Sequence, residues 1–259
     1  MWGIIPAAGS GNRIQPLAFS KELLPVGSQL HDRGLRPRAV CEYLVERMAE
    51  AGVTRICFVI SPGKSDIMRY FGHGTDSIHF SYTIQPQPCG LCDSIFRAIP
   101  LIRPDDQVVI GLPDTIWFPS DGLRSLPDGE FSFLLFPVER PENYDAVLMD
   151  AQNRVKKIIV KKSKTTTNLI WGAFKLPGAK LQSLHALWAL KGKRDEYIGT
   201  LVNSFIDSGE TVRGVAAGSM YVDVGTVNGY HDAIQLMNSY AVEELSVNSG
   251  VKNFQEQLS

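Results

Sequence analysis

The chain has 259 residues, enough for one large α/β domain or two small ones, and we expect one domain with an appended lobe. Positive and negative residues nearly cancel, to a formal net charge of −1, so the overall charge does not indicate binding to nucleic acid. The apolar stretches are only as long as strands, far below the roughly 18 to 20 residues of a membrane-spanning helix, which argues against a membrane protein.

Apolar runs alternate with helical patterns through the first half of the chain, as in βαβ units with a mostly parallel sheet. In the first predicted helix, Val40, Tyr43, Leu44 and Met48 share one face, and Gly52 follows as a stop. The elements predicted here are a strand at 2–5, a helix at 40–51, a strand at 55–60, a helix at 65–71, a strand at 80–84, a helix from 91 and a strand at 107–112.

Strands outnumber helices after Phe118. We predict strands at 131–137, 146–149, 155–160 and 169–176, helices at 180–190 and 197–207, a short strand near 212 and a helix at 228–245. The predicted fold class is α/β, a doubly wound, Rossmann-like, mostly parallel sheet with a small mixed or antiparallel extension. We expect one domain at 1–245, with halves at about 1–118 and 119–245, and a polar tail at 246–259.

A glycine-rich loop directly follows the first predicted strand. It reads Pro-Ala-Ala-Gly-Ser-Gly-Asn-Arg from Pro6 to Arg13, and Lys-Glu-Leu-Leu-Pro begins at Lys21. Such a loop presents backbone N–H groups to an anion, and Arg13 and Lys21 add positive charge. Ile14 stands where a dinucleotide-binding motif has its third glycine, so the loop is not of that class. The alternative is a surface turn with two solvated cations.

Gly63-Lys64-Ser65 imitates the end of a Walker A phosphate-binding loop. Phe58 stands where that motif has its first glycine, so we predict only a turn between a strand and a helix.

The four cysteines are scattered over predicted helices, strands and loops, which favours reduced thiols over a disulfide framework. Cys89 and Cys92 have CxxC spacing, but zinc would need a second pair of ligands that the sequence does not offer. The remaining cysteines are Cys41 and Cys57.

The N-terminus has no features of a secretory signal, so we expect a cytoplasmic protein.

The string from Gly9 to Pro25 resembles the signature of the sugar nucleotidyltransferases, the family that includes glucose-1-phosphate thymidylyltransferase and the bacterial UDP-glucose pyrophosphorylases. That signature is a glycine-rich loop with arginine, then a proline, then lysine and Leu-Pro. The spacing from Pro16 to Lys21 is shorter here than in the best-known members. The resemblance implies nucleotide binding by Ala8, Gly9 and Gly11 and catalytic roles for Arg13 and Lys21.

The resemblance continues downstream in the same order. The segment from Gln85 to Leu91 looks like the family's base-recognition segment, in which a glutamine side chain and a glycine backbone read the edge of a pyrimidine. This resemblance assigns Gln85 and Gly90 to nucleotide binding. Without it, the segment is a strand-to-helix loop with ordinary prolines.

Two aspartates match the family's metal ligands. Asp114 follows a predicted core strand, and Asp223 stands in a Tyr-Val-Asp-Val-Gly-Thr string similar to the family's Asp-x-Gly-Thr. A lone aspartate after a strand is more often a helix cap or a turn residue, but a pair favours a metal site. Two carboxylates together with triphosphate oxygens suit Mg²⁺, at the sheet edge where open parallel sheets bind ligands. The resemblance therefore implies Mg²⁺ as cofactor.

The acceptor side departs from the family pattern. Val160-Lys161 aligns with a strand that ends Glu-Lys-Pro in the family, so the phosphate-binding lysine is present but the glutamate that meets sugar hydroxyls is absent. Tyr144-Asp145 falls where relatives carry Tyr-Gly, so a side chain replaces a glycine that faces the sugar. The resemblance assigns Tyr144, Asp145, Lys161 and Gly172 to sugar binding, and Lys161 to catalysis. The lysines of this segment also fit a solvated basic strand and turn.

The implied reaction joins a pyrimidine nucleoside triphosphate (dTTP or UTP) to a sugar 1-phosphate and releases pyrophosphate, with these small molecules as the partners. One alternative is a cytidylyltransferase that acts on another phosphorylated acceptor, and a second is a non-catalytic regulator that binds nucleotide or sugar on the same scaffold. The sequence leaves open the sugar, the base and the subunit number, a homo-oligomer included.

Overall fold

The structure of the protein is a computed structural model that describes residues 1–31, 34–161 and 165–240. The strands are β1 (Trp2–Pro6), β2 (Pro25–His31), β3 (Gly34–Ala39), β4 (Arg55–Ile60), β5 (His79–Ile84), β6 (Gln107–Gly111), β7 (Thr115–Phe118), β8 (Ser132–Pro137), β9 (Asp145–Met149), β10 (Val155–Val160), β11 (Leu169–Pro177), β12 (Arg213–Val215) and β13 (Met220–Asp223). The helices are α1 (Val40–Glu50), α2 (Ser65–Phe71), α3 (Gly90–Phe96), α4 (Gly178–Leu190), α5 (Ile198–Asp207) and α6 (residues 227–240).

A nine-stranded sheet forms the centre of the fold, and its main path has the order β10-β9-β11-β6-β1-β4-β5. β6, β1, β4 and β5 run parallel to one another. β11 runs antiparallel to β6, β8 and β9, and β10 runs antiparallel to β9. The predicted parallel core with a mixed extension is confirmed. Because β11 pairs with β6, elements from both halves of the chain share one sheet.

Both faces of β1, β4 and β6 are buried, as expected when helices cover each side, whereas the edge strand β5 is partly exposed. Ile4 and Val108 belong to an apolar cluster that includes residues of α3, α4 and α5. Ile5 and Val109, one residue further along each strand, belong to a second cluster with residues of α1 and α2. The strand period of two therefore sends successive side chains to opposite helical layers.

The predicted elements are present with small shifts at their ends, and three features were not predicted. These are the β2–β3 hairpin and the short strands β7 and β13, which pair with each other. Apart from Val26, which is buried, the apolar side chains of β2 and β3 give little signal, because Leu30 and Leu35 are 81% and 76% exposed. The predicted end of the last helix at 245 and the tail at 246–259 lie outside the described residues.

The cysteines are all free, as expected; Cys89 is exposed and the other three are buried. None of the helices in the described ranges is long and apolar enough to cross a bilayer.

Candidate active site

A cavity of about 390 Å³ opens at the carboxyl ends of β1 and β6, where Pro6 and Leu112 form part of its wall. This is the edge at which open parallel sheets bind ligands. The predicted site residues that line it are Gly9, Arg13, Lys21, Gly90, Asp114, Tyr144, Asp145, Lys161 and Asp223.

The carboxylates of Asp114 and Asp223 converge in this cavity. Asp114 directly precedes β7 and Asp223 ends β13, and the backbone N–H of Val224 donates to the carbonyl of Asp114 at 2.8 Å. A Cβ atom at Gly225 would lie 2.7 Å from Asp114 Oδ2 and 2.9 Å from Asp223 Oδ1. The two oxygens are therefore no further apart than the sum of these distances, so both face one point.

Each carboxylate is paired with a cation. The Lys21 ammonium forms an ion pair with Asp114, and both side chains are almost fully buried. Arg13 Nη1 lies 2.8 Å from Asp223 Oδ2, but the Arg13 side chain is 60% exposed. Burial raises the pKa of Asp114, but the charge of Lys21 and its hydrogen bond outweigh burial and hold that pKa below its ordinary value. Asp114 is therefore ionised at neutral pH.

The residues present fit a hard divalent cation. Asp114 and Asp223 offer carboxylate oxygens, which Mg²⁺ prefers, and Mg²⁺ usually keeps several waters and takes substrate phosphates as further ligands. Within the described ranges, no group of three or more His, Cys, Asp or Glu side chains is arranged to hold a metal. A cation at this point would therefore complete its shell with phosphate oxygens and water.

The turn before α2 contacts the segment that carries Lys21 and holds it in place. Lys64 Nζ lies 2.7 Å from Glu22 Oε1 and donates to the carbonyl of Ala7 at 2.8 Å. Burial raises the pKa of Glu22, and the charge of Lys64 opposes this shift. Gly63-Lys64-Ser65 is the turn that the sequence predicts, but the structure gives its lysine a further role. The buried ion pair fixes the start of the glycine-rich loop against the Lys21 segment.

Some predicted nucleotide-binding residues support the cavity wall and do not line it. Ala8 is buried, and Gly11 faces the side chain of Lys21, where a Cβ atom would lie 3.0 Å from Lys21 Cδ. Gln85 is also buried, and its amide nitrogen donates to Asp93 Oδ2 at 2.9 Å.

Gly90 lines the cavity with a backbone conformation that favours glycine, at a φ of 88°. A Cβ atom here would approach the Cα atom of Glu196 to 2.8 Å, and the next residue, Leu91, donates its N–H to the carbonyl of Glu196 at 2.9 Å. The absence of a side chain therefore lets two loops close one side of the cavity.

The acceptor-side residues gather at the ends of β9 and β10. Asp145 pairs with Val160 in the β9–β10 ladder, and Lys161 follows directly. The Lys161 ammonium lies 5.2 Å from the centroid of the Tyr197 ring. Gly172 does not line the cavity. A Cβ atom there would approach the rings of Phe136 and Tyr221 to 2.6 and 2.7 Å, so the glycine lets these rings pack against β11.

The cavity also contains residues that the sequence did not single out. Trp171, Glu196, Tyr197 and Tyr221 line it. Trp171 is buried, and it stands on β11 at the cavity wall. Glu196 and Tyr197 precede α5 and match no motif, so only the fold could place them here.

Comparison with known proteins places this geometry in context. A family model described as nucleotidyl transferase matches residues 2–239. A glucose-1-phosphate thymidylyltransferase of Mycolicibacterium smegmatis is 27% identical over 255 residues, which cover 94% of this chain and 84% of the relative. The low-salt glycan biosynthesis nucleotidyltransferase Agl11 of Haloferax volcanii is 26% identical over 249 residues, covering 92% of this chain but only 66% of the relative.

The fold is also that of a solved structure. The UTP-bound UGPase of Acinetobacter baumannii superimposes with a TM-score of 0.75 and 19% identity, covering 100% of this chain and 99% of that chain.

Proposed function

Because the chain belongs to the nucleotidyl transferase family, we propose that it joins a pyrimidine nucleoside triphosphate, dTTP or UTP, to a sugar 1-phosphate and releases pyrophosphate. The relatives named as thymidylyltransferases of glucose 1-phosphate support this choice of substrates. The observation that carries the proposal is the convergence of Asp114 and Asp223 in one cavity with Arg13 and Lys21.

In this proposal Asp114 and Asp223 hold Mg²⁺. When bound, the ion neutralises charge on the phosphates of the triphosphate and of the leaving pyrophosphate. Lys21 forms the buried ion pair with Asp114, so we propose that it neutralises the charge of this carboxylate beside the phosphates. Arg13 is the more exposed cation, so we assign its side chain to the phosphates of the triphosphate.

The attacking group is a phosphate oxygen of the sugar 1-phosphate, which is already an anion. The reaction therefore needs no general base, and the protein contributes position and charge. We assign Lys161 to the acceptor phosphate because it lines the cavity beside Asp145 and Tyr144. Its ammonium would offset the repulsion between the two negatively charged substrates.

The base of the nucleotide is assigned to the wall formed by Gly90. Gly90 lines the cavity, and Gln85 lies behind it with its amide nitrogen hydrogen-bonded to the Gly90 carbonyl at 3.1 Å. Gly9, which lines the cavity, would contact the phosphates, and Ala8 and Gly11 would support the same loop from outside the lining. We thus assign the nucleotide to the half at about 1–118 and the acceptor to the half at about 119–245. We place the reaction in the cytoplasm.

The test is a pyrophosphate-release assay over a matrix of nucleoside triphosphates and phosphorylated acceptors with Mg²⁺. We expect the highest turnover with dTTP or UTP and a sugar 1-phosphate. Highest turnover with CTP and a different phosphorylated acceptor would instead identify a cytidylyltransferase. Binding of a nucleotide in isothermal titration, without pyrophosphate from any pair, would identify a regulator.

A further inference from the structure

The start of α2 contacts the residues on both sides of Lys21. Lys64, which directly precedes α2, pairs with Glu22. Asp66, in the first turn of the same helix, accepts two hydrogen bonds from Ser20. The residue before Lys21 and the residue after it are therefore both held by one turn of the chain.

Asp66 binds Ser20 through both oxygens of its carboxylate. The backbone N–H of Ser20 donates to Asp66 Oδ2 at 2.7 Å, and the Ser20 hydroxyl donates to Asp66 Oδ1 at 2.7 Å. The backbone N–H of Ile67 also donates to Oδ1, at 3.0 Å. Ser20 is buried, at 6% exposure. Because one of its two bonds comes from the backbone N–H, the carboxylate fixes the main chain that leads into Lys21.

The hydrogen bonds keep the Asp66 carboxylate ionised. Burial raises the pKa of Asp66, but hydrogen bonds from the Ser20 hydroxyl, the Ser20 N–H and the Ile67 N–H outweigh burial and hold that pKa below its ordinary value. Hydrogen bonds to a charged acceptor are stronger than those between neutral groups. The contact between Asp66 and Ser20 is therefore a firm one at neutral pH.

The side chain of Lys21 is the part of this segment that needs a fixed position. Its stem packs beside Gly11, where a Cβ atom would lie 3.0 Å from Lys21 Cδ, and its ammonium forms the ion pair with Asp114. A charge stabilises a transition state most when it is held in place before the reaction. A displacement of about 1 Å can cost about a hundredfold in rate. A shift of the Lys21 backbone would move the ammonium away from this position.

We propose that Asp66 is a positioning residue for Lys21, an inference that rests on the proposed function. Its carboxylate fixes the backbone of Ser20, and this backbone sets the direction from which the Lys21 side chain enters the cavity. Asp66 does not line the active cavity, so it acts on the reaction only through Lys21. The pair of Lys64 and Glu22 holds the other side of the same segment.

The first test weakens the contact between Asp66 and Ser20 in steps. Asp66→Ala removes both hydrogen bonds, and we expect kcat to fall about tenfold to a hundredfold while the KM for the sugar phosphate stays within about twofold of wild type. Asp66→Asn keeps an oxygen for the Ser20 N–H and can donate to the Ser20 hydroxyl, so it should recover most of the loss. Ser20→Ala removes only the hydroxyl contact and should give an intermediate kcat.

Asp106→Ala is the matched control for Asp66→Ala. Asp106 is also half-buried, and it accepts hydrogen bonds from the Arg103 N–H, at 2.9 Å, and from the Arg55 side chain, at 3.0 Å. It lies at the amino end of β6 and does not line the active cavity, so its loss should leave kcat unchanged. Near-normal kcat in a folded Asp66→Ala variant, or an equal loss of kcat in Asp106→Ala, would overturn the inference.

The second test asks whether Asp66 acts through Lys21. In a Lys21→Ala background, Asp66→Ala should lower the residual kcat by less than about twofold, because the group that Asp66 positions is gone. A further loss as large as that in the wild-type background would contradict the inference. Circular dichroism shows that each variant is folded before its kcat is compared. Failure of the proposed function would show differently, as absence of pyrophosphate release in the wild type with every substrate pair.

Discussion

Asp223 pairs directly with Thr115 across the two short antiparallel strands β13 and β7. Thr115 is the neighbour of Asp114, so this single pairing brings two carboxylates from distant parts of the chain to the same cavity. The hydrogen bond from Val224 N–H to the carbonyl of Asp114 continues the contact beyond the strand ends. The proposed metal site therefore depends on a two-stranded ribbon as well as on the carboxyl end of β6 in the main sheet.

Gly225 should be intolerant of a side chain because of this convergence. In Gly225→Ala, the new Cβ atom would meet Asp114 Oδ2 at 2.7 Å, Asp223 Oδ1 at 2.9 Å and Arg13 Nη2 at 3.1 Å. We expect it to push the carboxylates apart and lower kcat by about a hundredfold, while the circular dichroism spectrum is unchanged. Gly63→Ala, where a Cβ atom meets nothing within 4 Å, is the control and should stay active. Equal activity of the two variants would show that the convergence is not needed for turnover.

Arg13 should matter for turnover far more than for stability. Its side chain is 60% exposed, so the free energy of unfolding of Arg13→Ala should change by less than about 1 kcal/mol. Loss of one preorganised charge at the phosphates should lower kcat by about a hundredfold or more. Arg154→Ala is the matched control, because it also removes an ion pair, with Asp150, at an arginine side chain that is 54% exposed. We expect it to leave kcat unchanged. Near-normal kcat in Arg13→Ala would show that Arg13 has no role in turnover.

The ion pair of Lys64 and Glu22 should be strongly coupled. In Lys64→Met, a carboxylate whose side chain is only 1% exposed loses its partner, and we expect a loss of about 3–5 kcal/mol in the free energy of unfolding. The double variant Lys64→Met with Glu22→Leu should lose less than the sum of the two single variants. Urea denaturation of the four proteins measures this coupling, and strict additivity would mean that the pair does not act as a unit.

Glu42 gives a pH dependence to stability. Burial raises its pKa, but hydrogen bonds from Arg36, at 2.5 Å, and from the Ala39 N–H, at 2.8 Å, outweigh burial and hold it below its ordinary value. A lowered folded-state pKa stabilises the protein above the unfolded pKa of about 4.3, and the contribution is lost as pH falls through the folded value.

Glu42→Gln should therefore lower the free energy of unfolding at pH 7, by about 1–2 kcal/mol, and the difference from wild type should shrink below about pH 4. Glu50→Gln, at the exposed last residue of α1, is the control. A difference between wild type and Glu42→Gln that is constant from pH 7 to pH 3 would contradict this assignment.

The sequence predicted the main sheet because its strands are apolar and separated by helical patterns. Ile4, Ile5, Val108 and Val109 are buried on both faces, which gives continuous apolar runs. The β2–β3 hairpin was missed because its strands are mostly polar and its Leu30 and Leu35 are exposed, which leaves Val26 without a repeating apolar pattern around it.

The site residues were predicted only where they stand in short sequence motifs. Residues in short motifs, such as Arg13, Asp114 and Asp223, were identified and lie together in the cavity. Trp171 and Glu196 also line it, but their place follows from the packing of β11 and the loop before α5, which no local pattern reveals.

The most direct measurement is the rate of pyrophosphate release as a function of Mg²⁺ concentration, in wild type, Asp114→Asn and Asp223→Asn. We predict release that requires Mg²⁺ and sugar 1-phosphate in the wild type, and a kcat reduced by about a hundredfold or more in each variant. Asp207→Asn, at an exposed position on α5, should behave as the wild type. Near-normal turnover in either site variant at ordinary Mg²⁺ concentrations would contradict the assignment of the two carboxylates.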